Sequence, residues 1–332
     1  MRRVVTGIQP SGTPHLGNYF GMIEPALALA GEASAIYFVA DYHALTTVRD
    51  PGVLKELTFD VTATWLALGL DPDDSILYLQ SDLPEVCELS WLLGCVLAKG
   101  LLNRGHAYKS LVDENQQAGR PADAGVTAGV FNYPLLMAAD ILIHGADVVP
   151  VGDDNRQHIE ITRDVAAAFN ANYGPVFTVP EGRIEPSVGT VPGTDGRKMS
   201  ASTDNVIPIF AGRDELTRRI MAIVTDTRRP DEPKSPESCN VYSLYRLVAA
   251  PHDAAELAGR YRSGSVTYRE AKERLIDTHE RRFGGARERF AELSADRTYL
   301  RAVLASGAER ARAVVTDRLS RARDAVGIIS AP

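Results

Sequence analysis

Two short stretches of this sequence carry groups suited to phosphate chemistry. In the first, Gly7-Ile8-Gln9-Pro10-Ser11-Gly12 leads into Pro14-His15-Leu16-Gly17-Asn18, which sets a glycine-containing loop between an apolar run and a helical one. Backbone N–H groups at such a helix start attract anions, and His15 and Asn18 can donate hydrogen bonds to phosphate oxygens. The second, Gly196-Arg197-Lys198-Met199-Ser200-Ala201-Ser202, places Lys198 in a loop flanked by small residues. A mobile lysine there can stabilise charge building on a transferred phosphate. Taken singly, each has a plainer reading: a structural histidine in a turn, and a solvated surface lysine.

The elements that must position these groups alternate. Residues 2–8, 34–40, 75–80 and 148–151 read as short strands. Helices are predicted over 17–30, 53–68, 87–102, 133–144 and 155–170. This order argues for an α/β fold with a parallel, doubly wound sheet, whose ligands bind beyond the carboxyl ends of the strands. His15 and Asp41-Tyr42-His43 both fall just after strands. Glu114–Gly129 lacks apolar periodicity and reads as a mobile loop, and 180–205, rich in Gly, Pro and Ser, as the loop carrying Lys198. Beyond residue 212 the pattern is helical (214–224, 241–249, 254–262, 268–290, 308–326), interrupted by a linker with Pro230, Pro233 and Pro236.

The net charge of −7 is unevenly spread: residues 1–210 hold 13 Lys+Arg against 25 Asp+Glu, residues 211–332 hold 23 against 18. A basic second half can meet a phosphate backbone while an acidic first half does chemistry; the plainer reading is solvated arginine on exposed helix faces. Cys87, Cys95 and Cys239 are isolated, so neither a disulfide framework nor a cysteine-rich zinc site is indicated, and a reducing cytoplasm is the expected location. The amino terminus lacks the apolar core of a signal peptide, and no apolar run is long enough to span a bilayer.

A third stretch, Tyr133-Pro134-Leu135-Leu136-Met137-Ala138-Ala139-Asp140-Ile141-Leu142, precedes Asp147-Val148-Val149-Pro150-Val151-Gly152-Asp153-Asp154-Asn155-Arg156-Gln157-His158. With these motifs in order, the sequence resembles the class I aminoacyl-tRNA synthetases, in particular the bacterial-type tryptophanyl enzymes. The resemblance runs from Val4 to Asn205 and continues more weakly through Ile223–Thr227 and Cys239–Tyr242. It implies a Rossmann-like catalytic domain over 1–210 and a C-terminal α-helical anticodon-recognition domain over 211–332, whose last helix can pack back on the first domain.

The implied roles follow position by position. Gln9, Pro10, Ser11, His15, Gly17 and Asn18 would face ATP or the reacting centre, Gly152 and Asp154 would hold its ribose, and Lys198, with Met199 and Ser200, would act on the phosphates as their loop closes. The amino-acid pocket would comprise Val5, Gly7, His43, Tyr133, Met137, Asp140, Val149, Val151 and Asn155. Residues 133, 137 and 140 share one helix face. Asp140 can accept the indole N–H of tryptophan while His43, Met137, Val149 and Val151 surround its rings. Methionine at 137, where tyrosine enzymes carry a glutamine nearby, favours tryptophan. The implied partners are ATP, L-tryptophan, tRNA(Trp) and a second copy of the chain, with Mg2+ held by ATP rather than by protein ligands.

Two positions depart from the family pattern. Ala201 stands where the Lys-Met-Ser-Lys-Ser signature has its second lysine, which makes Arg197 and Lys109 candidate substitutes. Asn155 stands where glutamine is usual, so its contact with the substrate's amino or carboxylate group is expected to be longer or water-mediated. Two other readings compete: an adenylyltransferase of the same superfamily with another acceptor, and a non-catalytic or specialised paralogue. His106, His144, His158, His252 and His279 show no metal-ligand spacing. Trp65 and Trp91 read as core residues, and Asp71–Asp74 as a solvated turn.

Overall fold

The structure, a computed structural model, describes residues 2–30, 34–150, 156–183 and 191–329. Five parallel strands form one sheet: β1 (Arg3–Ile8), β2 (Ser34–Val39), β3 (Ile76–Leu79), β4 (Val148–Pro150) and β5 (Glu181–Arg183), in the order β3-β2-β1-β4-β5. The register sets Val5 beside Ile36 and Ile36 beside Ile76, while β1 and β4 meet at Val4 and Val148. The chain winds outward from β1 to β3 and returns on the other side of β1. That reversal opens a crevice beyond the carboxyl ends of β1 and β4.

Successive residues of a strand face opposite sides, and β2 shows the consequence. Ala35, Tyr37 and Val39 join a core cluster with Leu16, Trp65 and Leu77, whereas Ile36 and Phe38 join another with Val5, Tyr78 and Ile141. Both faces of the sheet are therefore covered, so its strands read as unbroken apolar runs. The first cluster continues through Leu216, Leu244, Tyr261 and Leu275 of the carboxyl-terminal half. The Arg297–Val326 helix gives Leu300 and Leu304 to the first cluster and Ala308, Val315 and Leu319 to the second. It crosses β3 at Gly307, where any side chain would overlap the Leu77 carbonyl.

Several expected elements differ. The 17–30 helix contains a five-residue π-turn, Tyr19–Ile23, between Leu16–Asn18 and Glu24–Ala30. The 87–102 helix is broken into Glu85–Gly94 and Lys99–Leu102. The start of the expected Glu114–Gly129 loop, residues 114–117, belongs to a helix, His106–Gln117, whose polar sequence hides its period. The 133–144 helix begins earlier, at Ala128, because Thr127 caps it through Val130 N at 3.3 Å; Pro134, which suits a first turn, lies inside it. The last helix begins at Arg297 rather than 308, capped by Asp296, and β5 lies in the stretch read as loop. Trp65 is fully buried, as expected, but Trp91 is 74% exposed: it lies on the outward side of the Glu85–Gly94 helix, whose Leu89, Leu92 and Leu93 are buried.

Candidate active site

The loop after β1 is fixed by a segment far along the chain. Leu16 N donates to Ile207 O at 3.0 Å, and Ile209 N to Pro14 O at 3.1 Å, with His15 bridged to Pro208. Asn18 Oδ1 accepts from His15 N at 3.1 Å, which closes the first helical turn and leaves the amide N–H groups of Asn18 to donate outward. Burial lowers the His15 pKa to about 4, so its imidazole is neutral near pH 7. A Cβ on Gly17 would stand 2.9 Å from that ring and 3.4 Å from Met199 Cβ. Glycine at 17 is what lets the imidazole and the Lys198 loop both close on this helix start. The π-turn follows at once, a distortion common at functional sites.

The His15 loop and the Lys198 loop are in contact. Met199 is buried and its Sδ accepts from Gly17 N at 3.2 Å. Gln9, Ser11, Gly12, His15, Asn18 and Ala201 line one cleft. Pro10 is buried beside them, and Gln9 Nε2 donates to Thr47 Oγ1 at 3.2 Å.

The loop bearing Lys198 is organised by Asn205, only 3% exposed. Asn205 Nδ2 donates to Lys198 O at 3.0 Å and Asp195 Oδ1 at 2.8 Å, while its Oδ1 accepts from Ser200 N at 2.8 Å. The backbone is thus held on both sides of Lys198, whose side chain is exposed. A side chain on Gly193 would overlap Asn205, and the Gly193 carbonyl accepts from Asn240 Nδ2 at 2.7 Å, which ties the loop to the helical half. Asn205 first, then Arg197, hold the Asp195 carboxyl down to about 2. Arg197 pairs with that carboxylate at 2.7 Å, and Lys109 lies exposed on the His106–Gln117 helix. Neither candidate substitute lines the cleft beside Ala201.

The other pole of the site surrounds Asp140, 1% exposed on the Ala128–Ile143 helix. His43 Nε2 lies 3.1 Å from its Oδ2, and Gln80 Nε2 donates to Oδ1 at 2.9 Å and Oδ2 at 2.8 Å. Burial pushes the Asp140 carboxyl above its ordinary pKa, while His43 and Gln80 oppose that shift. Tyr133 stands edge-on to His43 with centroids 6.2 Å apart, and its hydroxyl meets His158 Nε2 at 2.5 Å. Met137 is half-buried against the same core. Val5 and Val149 are buried in that core, and Gly7 is required because a Cβ would run into the Phe38 ring.

Val151, Gly152, Asp154 and Asn155 lie outside the described residues. The sequence reading missed Gln80, His158 and Asn205. Gln80 had a usable signal, since it follows β3 directly, much as Asp41 comes just after β2; Asn205 had none, because its partners are visible only once the loop is folded. Among the described residues no group of three or more His, Cys, Asp or Glu could hold a metal, and no helix is long and apolar enough to cross a membrane.

Comparison with known proteins agrees with this geometry. Residues 1–284 match the model of the class I tRNA synthetases for tryptophan and tyrosine. The chain is 47% identical over 330 residues to a tryptophan–tRNA ligase of Xanthomonas campestris and 46% identical over 333 residues to one of Pseudomonas aeruginosa. These alignments cover 98% and 99% of this chain and 76% and 74% of those proteins. The tryptophanyl-tRNA synthetase of Campylobacter jejuni, solved with ADP and tryptophan, superposes with a TM-score of 0.87 at 39% identity, covering 98% of this chain and 99% of that one. The Mycoplasma pneumoniae enzyme gives 0.85 at 27% identity, covering 99% of each. The chain belongs to the class I aminoacyl-tRNA synthetases, in their bacterial tryptophanyl branch.

Proposed function

We propose that the chain is a tryptophan–tRNA ligase in which the Asp140 cluster selects the amino acid and the His15–Lys198 cleft handles the nucleotide. The tryptophan carboxylate oxygen attacks the α-phosphorus of Mg-ATP, the bond to the departing pyrophosphate breaks, and tryptophanyl-adenylate forms. A hydroxyl of the terminal tRNA ribose then attacks the acyl carbon and AMP leaves. Neither step calls for a protein nucleophile; catalysis rests on positioning and on neutralising charge.

Gln9, Pro10, Ser11, His15, Gly17 and Asn18 would receive the nucleotide, with Gly152 and Asp154 on its ribose. Lys198, carried by Met199 and Ser200, would follow the departing phosphates. Mg2+ would arrive as part of the nucleotide. Residues 1–210 would form the catalytic domain and 211–332 the anticodon-recognition domain, with the last helix folded back on the sheet. Its inward arginines are engaged: Arg310 with Asp73 O and Ser75 O, Arg318 with Val176 O, Arg323 with Glu88. Charge for tRNA would therefore come from other surfaces of the helical half. A homodimer finds support in exposed Trp91, since aromatic side chains often anchor interfaces. A cytoplasmic location fits the free thiols Cys87, Cys95 and Cys239.

The observation carrying this reading is the buried Asp140 carboxylate, held as an acceptor between Gln80 and His43. A site built around a buried acceptor rejects substrates lacking the matching donor. Amino-acid-dependent ATP–pyrophosphate exchange tests it: tryptophan is expected to support exchange, tyrosine and phenylalanine far less. Exchange with tyrosine alone would remove the specificity assignment. Exchange with none would favour a non-catalytic paralogue, the reading that Ala201 supports by leaving its part of the cleft without the family's second lysine.

A further inference from the structure

Asp140 does not stand alone, and the arrangement around it is asymmetric. Its Oδ2 receives both His43 Nε2 at 3.1 Å and Gln80 Nε2 at 2.8 Å, whereas Oδ1 receives only Gln80, at 2.9 Å. The acceptor capacity left for a ligand therefore lies mainly on Oδ1. The orientation of the Gln80 amide is fixed independently: its Oε1 accepts from Tyr42 N at 3.2 Å, a partner that can only donate, so the N–H end must face Asp140. The turn carrying Gln80 is itself anchored. Asp41 accepts from Ser81 N at 3.0 Å and from the Ser81 hydroxyl at 2.5 Å, while Gln80 is 1% exposed at the end of β3.

We propose that Gln80 is a positioning residue for substrate selection: by donating to both carboxylate oxygens it holds Asp140 as an oriented acceptor and leaves Oδ1 for the indole N–H. The proposal rests on the reading of Asp140 as the indole partner. Without Gln80, the buried carboxylate loses its only side-chain donor on Oδ1, and it can turn toward His43 or take up a proton. A protonated or rotated Asp140 no longer distinguishes an indole from an isostere lacking the donor.

The test compares tryptophan with benzothienylalanine, in which sulfur replaces the indole N–H, in pyrophosphate exchange by wild type, Gln80→Met, Gln80→Leu and Asp140→Ala. The ratio of kcat/KM for the two substrates, taken on one sample, does not depend on how much of that sample is folded. Gln80→Met fills nearly the same volume and Gln80→Leu gives a second apolar replacement. Both are expected to lower the preference for tryptophan by about tenfold or more, the cost of misplacing one buried hydrogen bond, chiefly through KM. Equal loss for both substrates, with the preference intact, would make Gln80 merely structural and overturn the proposal. If Asp140→Ala keeps the wild-type preference, the indole-partner reading of Asp140 fails instead. If Asp140→Ala abolishes the preference while both Gln80 variants keep it, only the role of Gln80 fails.

Discussion

The two poles of the site are built differently. Around Asp140 every group sits on a strand end or helix and is locked by neighbours: Gln80 by Tyr42, His43 against Tyr133, Tyr133 against His158. Around Lys198 the side chain is exposed on a loop, and the backbone is fastened through Asn205 and Met199. Selection of an aromatic substrate needs a fixed acceptor, because a site that relaxes cannot reject a near-isostere. Following charge onto a leaving phosphate needs a cation that can move. On the proposed roles, the pocket supplies a fixed acceptor and the clasped loop presents an exposed lysine.

The largest expected break in this contrast is Lys198→Ala. Removing a charge-stabilising group of this kind lowers the rate by about 10²–10³. In steady-state exchange, kcat should fall that far while the KM for tryptophan stays within about threefold. Next comes Asn205→Ala, which unfastens the backbone on both sides of Lys198 without removing the cation; losing these buried hydrogen bonds is expected to cost about tenfold in kcat. An unchanged kcat would show that the clasp does not aim the lysine.

The smallest effect sharpens the other pole. His144 lies beneath Asp140, its Nδ1 2.8 Å from Asp140 O and its Nε2 3.1 Å from the Tyr78 hydroxyl, and burial lowers its pKa to about 4. The unfolded chain binds this proton near pH 6.5 and the folded one only near 4, so the unfolded state gains protons first as pH falls. Stability should decline through that window, by at most about 3 kcal/mol for this group, with His15 and His279 acting in the same direction. Thermal unfolding of His144→Gln between pH 7 and pH 4 should show a shallower decline than wild type.

How much of this was legible in the sequence depended on burial. Strands covered on both faces announced themselves as apolar runs, and the long helices by their period. His106–Gln117 was invisible because it carries few apolar residues, and Trp91 was misread because helical spacing does not say which face is covered. His15, Lys198 and Asp140 could be named from motifs. Asn205 acts through partners that folding alone assembles, and neither Arg197 nor Lys109, the cations considered for Ala201, is among the residues lining the cleft.

The central claim is the division between a selecting pocket and a charge-following loop. Its most direct test is tryptophan-dependent pyrophosphate exchange on Asp140→Ala beside Lys198→Ala, with kcat and KM resolved for each. The account predicts that Asp140→Ala raises the KM for tryptophan and erases its advantage over benzothienylalanine, while Lys198→Ala lowers kcat and preserves both. The same pattern of loss in the two variants would contradict it.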